Sequence, residues 1–273
     1  MTARRTDPVE IMDVLAYHEG IFRKTSAPII REVLLEVRLD GRRMAAIACT
    51  GEHAEDLAIG FLHSEGWIGR AGDIGRIEWL RNTGPDLTWP GEILSLEIRS
   101  VAGATGSEPA ATGGTITSSG ARSACRWPDG ADLTPGIPTV TPNQVFHLVD
   151  GLVEACELHE RTRGAHGAAL ADPDRILIVR EDIGRHNALD MLSGHALRNG
   201  TDCSGKILVR TGRASVEIIS KTIRMGIPVL LSLGAPTTEA VRTAERAGIT
   251  LVGRIRKGSM TVYTHDERIG KTT

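Results

Sequence analysis

Residues 206–255 read KILVRTGRASVEIISKTIRMGIPVLLSLGAPTTEAVRTAERAGITLVGRI. Three short apolar runs, at 206–210, 229–233 and 250–255, are spaced as strands. Between them, 215–224 and 237–247 carry helical spacing, and Gly226 stops the first helix. Strands that alternate with helices predict an α/β fold whose mixed sheet is at least partly parallel and flanked by helices.

Working outward, 165–170 and 175–179 read as strands around the turn Asp172-Pro173-Asp174, and a helix follows from about 187 to 198. Thr141-Pro142-Asn143-Gln144 opens another helix: Thr141 caps it, Pro142 suits the first turn and Gln144 completes a capping box. We therefore expect one C-terminal α/β domain over 136–273. Residues 101–135 are dominated by Ser, Thr, Gly and Ala and are expected to form a flexible loop carrying Cys125. Residues 31–100 are expected to make a smaller β-rich subdomain. It contains a hairpin over 32–49 turned at Asp40-Gly41, a helix over 54–65 stopped by Gly66, and a strand at 93–98. Residues 1–30 read as an irregular leader.

Composition narrows the function. In 273 residues, 41% are hydrophobic and 24% charged, with a formal net charge of -2. Nothing global attracts nucleic acid or an anionic membrane, so an anion site must be built locally. No apolar run reaches the ~20 residues of a bilayer span, and no signal core follows the N-terminal arginines. A cytoplasmic protein is expected.

Three strand-to-helix junctions concentrate unusual chemistry. They are Arg180-Glu181-Asp182-Ile183-Gly184-Arg185-His186-Asn187, Thr211-Gly212-Arg213-Ala214-Ser215 and Gly234-Ala235-Pro236-Thr237-Thr238. Helix N-termini present free N–H groups and a positive dipole end, and open α/β sheets bind ligands beyond their strands' carboxyl ends. Asp182, Gly184, Arg185, His186, Asn187, Arg213, Ser215 and Thr237 are thus candidates for one phosphorylated ligand. Arg254-Ile255-Arg256-Lys257-Gly258-Ser259 is a basic turn that suits the same purpose. The plainer readings stand beside these: Thr237 as a cap, and the basic turn as a solvated surface.

The four cysteines have no paired spacing, which argues against a disulfide framework or zinc knuckle. Cys156 falls on a helix stripe with Val145, Leu148 and Leu152, and Cys49 ends an apolar strand. Cys203 lies in a polar loop beside Asp202. Cys125 stands between Arg122 and Arg126, whose charges favour the reactive thiolate.

Taken in order, several motifs resemble the FdhD, or NarQ, family of formate dehydrogenase accessory proteins. They are 55–62 with Ser64-Glu65-Gly66, then 181–190, 212–217, 235–238, 251–253 and 262–264. The resemblance spans about 31–268. It implies a sulfur carrier: a cysteine desulfurase loads persulfide sulfur onto a loop cysteine, here Cys125. The carrier then sulfurates molybdenum bis(molybdopterin guanine dinucleotide) for formate dehydrogenase. It also implies a cytidine-deaminase-like fold, homodimers, and cofactor contacts at 254–259. The sequence departs from the family's Cys-x-x-Cys pattern: if Cys125 fills the second cysteine place, Arg122 fills the first, and if Thr117-Ser118-Ser119 sets the register, both places are lost and Cys125 is a near neighbour. Met191 stands where lysine often follows the aspartate. A cofactor-binding chaperone of the same family, without sulfur transfer, is the alternative. A zinc deaminase would need a His-x-Glu motif, and His166-Gly167-Ala168 does not supply one.

Overall fold

A computed structural model describes residues 7–80, 89–101, 115–116, 133 and 139–270. The chain opens with β1 (Val9–His18) and β2 (Ile21–Ile30), an antiparallel ribbon. Over residues 9–30 this corrects the irregular leader expected for 1–30; residues 1–6 lie outside the described residues. Glu19 and Gly20 both have positive φ, 49° and 85°, as a two-residue hairpin turn of matching twist requires. Only the ribbon's base is buried: Val9 and Ile30 pack with Leu158 and Ala165. Further along, Ile11, Leu15, Tyr17 and Phe22 are exposed.

Next come β3 (Val33–Leu39), β4 (Arg42–Cys49), α1 (Ala54–Ser64), β5 (Ile74–Leu80), β6 (Ile93–Ser100) and β7 (Thr115–Ile116). They form a five-stranded sheet, order β5-β6-β3-β4-β7. Val33, Leu35, Val37 and Leu39 alternate along β3 and pack with Leu57, Phe61 and Leu62 of α1, the period-two pattern of a strand with one face on a core. Glu36 is buried as well. It accepts from Ser95 Oγ at 2.5 Å and sits 3.0 Å from Arg38, which also reaches Glu97 at 3.4 Å. Of the stretch 101–135, only Val101, Thr115, Ile116 and Leu133 are described, so the expectations for the loop and for Cys125 lie outside the described residues.

The C-terminal half runs α2 (Pro142–Ala155), α3 (Glu157–Thr162), β8 (His166–Asp172), β9 (Arg175–Asp182), α4 (Arg185–Arg198), β10 (Ile207–Arg210), α5 (Val216–Arg224), β11 (Val229–Ser232), α6 (Thr238–Arg246), β12 (Thr250–Arg256) and β13 (Ser259–Thr264). Thr141 caps α2 in the expected capping box. The six-stranded sheet has the order β13-β12-β11-β10-β8-β9. Strands β10, β11 and β12 are mutually parallel, β8 is antiparallel to β10, and β9 is antiparallel to β8. Leu170, Leu208, Leu230 and Leu251 face α4, α5 and α6. Their neighbours Ala171, Val209, Leu231 and Val252 face α2. This is the mixed sheet with helices on both faces that the alternation predicted.

The two halves meet where α1 crosses α4. A Cβ on Gly60 would overlap the Asp190 carbonyl, and one on Gly194 would overlap the Asp56 carbonyl. Beside the crossing, Lys221 of α5 donates to both oxygens of buried Asp190 at 2.6 and 2.5 Å, and Ser64 Oγ donates to the same carboxylate at 2.6 Å. Asp56 of α1 pairs with Arg180 at 3.0 Å and Arg198 at 2.8 Å. Among the described residues, no helix is long and apolar enough to cross a membrane.

Candidate functional site

Strand direction decides which residues meet. Because β9, β10, β11 and β12 all run the same way, Asp182, Arg210, Ser232 and Arg256 end at one edge. His166, which begins the opposed β8, lies on that edge too and is in register with Asp182. The junction loops are stitched together along it. Gly234 N donates to Gly212 O at 3.0 Å, Thr237 N to Ala214 O at 3.0 Å, and Arg254 N to Gly234 O at 3.1 Å. Gly234 has no room for a side chain, since a Cβ there would strike the Gly212 backbone.

Arg210 is the residue the sequence reading missed. It closes β10 and is only 1% exposed. Its Nη1 donates to Arg213 O at 2.7 Å, yet Nε and Nη2 have no acceptor among the described residues. Burial and the neighbouring Arg185 guanidinium lower its pKa to about 9. The legible signal was a lone arginine ending the buried run Ile207-Leu208-Val209, at the carboxyl edge where ligands bind.

His166 and His186 share this surrounding. Burial and then Arg210 and Arg185 lower the His166 pKa, and its Nδ1 is 3.2 Å from Thr211 Oγ1. His186 is pushed down to about 3 by burial, Lys221, Arg185, Arg210 and His166. Its buried Nε2 lies 3.1 Å from Glu217 Oε2 but is not aligned for a hydrogen bond. Ser215 is the N-cap residue of α5, but its side chain does not cap the helix, and its buried Oγ has no partner among the described residues.

The other expected site residues are placed differently. Asp182 is fully buried. It accepts from Thr50 N at 2.9 Å, Thr50 Oγ1 at 3.0 Å, Gly184 N at 2.9 Å and Asn187 Nδ2 at 2.6 Å. Burial outweighs those bonds and raises its pKa to about 6. Asn187 also donates to Ala48 O at 2.9 Å. Both side chains are therefore engaged in tying the β9–α4 junction to the end of β4. Gly184 precedes α4 as its N-cap and abuts the Asn187 amide. Thr237 is satisfied as a cap, accepting from Ala240 N at 3.3 Å. Ile255 is core, packed with Val145 and Leu148. Arg254, Arg256, Lys257, Gly258 and Ser259 are exposed at the β12–β13 turn, and Arg213 is exposed above β10. Arg254, Arg256 and Lys257 have no carboxylate partner among the described residues.

The three described cysteines are buried and held as thiols. Burial and Asp182 push Cys49 well up, burial and Glu181 push Cys156 to about 12, and burial and Asp202 push Cys203 to about 11. Among the described residues, no cluster of His, Cys, Asp or Glu is arranged for a metal.

A family model described as the FdhD/NarQ family matches residues 30–270. The chain belongs to that family. Relatives carrying the name sulfur carrier protein FdhD include that of Bacillus subtilis (strain 168), 34% identical and covering 95% of this chain and 97% of its own. That of Shouchella clausii (strain KSM-K16) is 36% identical, over 89% and 90%. A crystal structure described as a candidate formate dehydrogenase accessory protein from Desulfotalea psychrophila superposes with a TM-score of 0.73. It covers 96% of this chain and 99% of its own at 20% identity, a likeness of fold.

Proposed function

We propose that this protein is a cytoplasmic sulfur carrier in the maturation of a formate dehydrogenase. Cys125 takes the terminal sulfur of a cysteine desulfurase persulfide. Its thiolate attacks that sulfur, a new S–S bond forms on Cys125, and the donor's own thiolate leaves. The receiving client is the molybdenum cofactor with its guanine dinucleotides, held at the carboxyl edge of the parallel strands by the junction loops and by Arg254, Arg256 and Lys257. Family membership supports the reading. One observation carries the assignment to Cys125: Cys49, Cys156 and Cys203 are each buried with thiol pKa values pushed up, and a sulfur acceptor must be an accessible thiolate.

Mass spectrometry after incubation with a desulfurase and cysteine should find one added sulfur on Cys125 and none in Cys125→Ala. Cys125→Ala should also fail to restore formate dehydrogenase activity in cells lacking the native protein. If it does restore activity, the carrier step is wrong, and a cofactor-binding chaperone takes its place. That second reading has its own support: no Cys-x-x-Cys pair occurs in the chain, and if Cys125 fills the family's second cysteine place, Arg122 fills the first.

A further inference from the structure

Arg210 presents a physical problem. A buried guanidinium without an anion is strongly disfavoured, and among the described residues two of its three nitrogens have no acceptor. The groups around it compound the cost. Arg185 lies close enough to depress Arg210, both guanidiniums depress His166 and His186, and Lys221 adds to the effect on His186. Glu217 is the carboxylate beside this group, and it approaches His186 without closing a hydrogen bond. Asp182, the other nearby acid, is fully engaged by Thr50, Gly184 and Asn187.

Three further features point the same way. The N-terminus of α5, a nine-residue helix, opens beside Arg210 and its first N–H groups are free of intrahelical partners. Ser215 leaves those groups uncapped, and its own buried hydroxyl is unpartnered. Gly212, at φ 80°, bares the backbone there. Its Cβ position stands 3.5 Å from Arg210 Nη2 and 3.6 Å from His166 Cε1, in ordinary contact with both, so Gly212 borders the same space, and its positive φ favours glycine there.

We propose that this cage is a discrete subsite for one tetrahedral oxyanion of the phosphate class. Arg210 Nε and Nη2, Ser215 Oγ, His186 Nε2 and the α5 N-terminus would donate to it. It lies apart from the exposed cations of the β12–β13 turn, to which Gly212, Gly234 and Arg254 connect it by backbone hydrogen bonds. The proposal deepens the cofactor part of the reading above: one phosphoryl group is swallowed at Arg210, and the remainder of a nucleotide lies along the glycine junctions. It is independent of the sulfur step.

The test is calorimetry on the full chain with inorganic phosphate, sulfate, GMP and GDP. Inorganic phosphate should bind, and GDP should bind more tightly. Arg210→Met should weaken phosphate and GDP at least about tenfold, the scale of one or two lost charge-assisted hydrogen bonds. Ser215→Ala should weaken both less. Arg256→Ala with Lys257→Ala should weaken GDP and leave inorganic phosphate unchanged. Thermal unfolding supplies the folding control. Arg210→Met should melt no lower than the parent without ligand, because it removes an unpaired buried charge, and phosphate should raise the melting temperature of the parent alone. Unchanged phosphate binding in Arg210→Met, or none in the parent, overturns the subsite. If GDP still binds Arg210→Met as it binds the parent, the subsite falls while the edge remains a nucleotide site. Phosphate binding through Arg210 with no response to GMP or GDP keeps the subsite and removes the nucleotide reading instead.

Discussion

Gly60 of α1 and Gly194 of α4 sit in mutual backbone contact, each leaving open the space that a carbonyl of the other helix occupies, Asp190 O against Gly60 and Asp56 O against Gly194. The contact fixes how closely the two halves approach, and it tolerates no added atom. Gly60→Ala and Gly194→Ala should each cost ~3 kcal/mol or more, at the severe end of overpacking. Gly72→Ala is the control, since a Cβ there meets nothing within 4 Å. Urea denaturation of the three variants checks this; equal midpoints would show that the crossing adjusts freely.

The Asp190–Lys221 pair lies beside the same crossing, with side chains 4% and 7% exposed. Lys221→Met should cost ~3–5 kcal/mol, because it leaves Asp190 charged and buried with Ser64 as its remaining side-chain donor among the described residues. Adding Asp190→Leu should recover most of that loss. A double variant no more stable than Lys221→Met alone would contradict the argument.

Asp182 gives a pH signature. Its folded pKa, raised to about 6, lies above the ordinary carboxylate value near 4. The folded state therefore holds a proton that the unfolded chain has released between about pH 4 and 6. Its favourable contribution is complete below pH ~4 and disappears as pH rises through ~6, a swing of about 3 kcal/mol. The stability difference between parent and Asp182→Asn should shrink accordingly over that window. A difference that stays level from pH 4 to 7 in chemical denaturation would refute it.

Sulfate, which stays dianionic over about pH 5–7, should take up protons at the histidines when it binds. An anion beside His166 and His186 favours their charged forms, so both pKa values rise on binding from their depressed free-state positions. Affinity should therefore increase as pH falls from 7 toward 5, and the calorimetric enthalpy should depend on the ionisation heat of the buffer. Identical enthalpies in two buffers of different ionisation heat would show that neither histidine titrates with the ligand.

The C-terminal sheet was legible because its signals are local. Apolar runs of strand length alternate with helical spacing over 206–255, and a capping box marks Thr141. The β1–β2 ribbon was missed because apolar residues occur on both of its faces, so no alternation appears; the Glu19-Gly20 turn was the available cue. Asp182 and Asn187 illustrate a deeper limit. Their polarity at a junction was visible, but their partners, Thr50 and Ala48, are 132 and 139 residues away. A ligand group and a long-range tie have the same local spelling. Arg210 was hidden in the opposite way: taken with its strand it reads as a terminus, and only strand order brings His166 and α5 around it.

The seam between the halves bears on how the protein can be made. Met191 of α4 is part of the core that α1 and the five-stranded sheet share. Thr50, Asp56 and Gly60 on one side are matched by Asp182, Arg180 and Gly194 on the other. Expressed as separate fragments, each half would present a raw apolar wall with stranded charges upon it. The chain is thus indivisible as a manufactured object, and during synthesis its first hundred residues must wait for α4 to emerge before their core is closed.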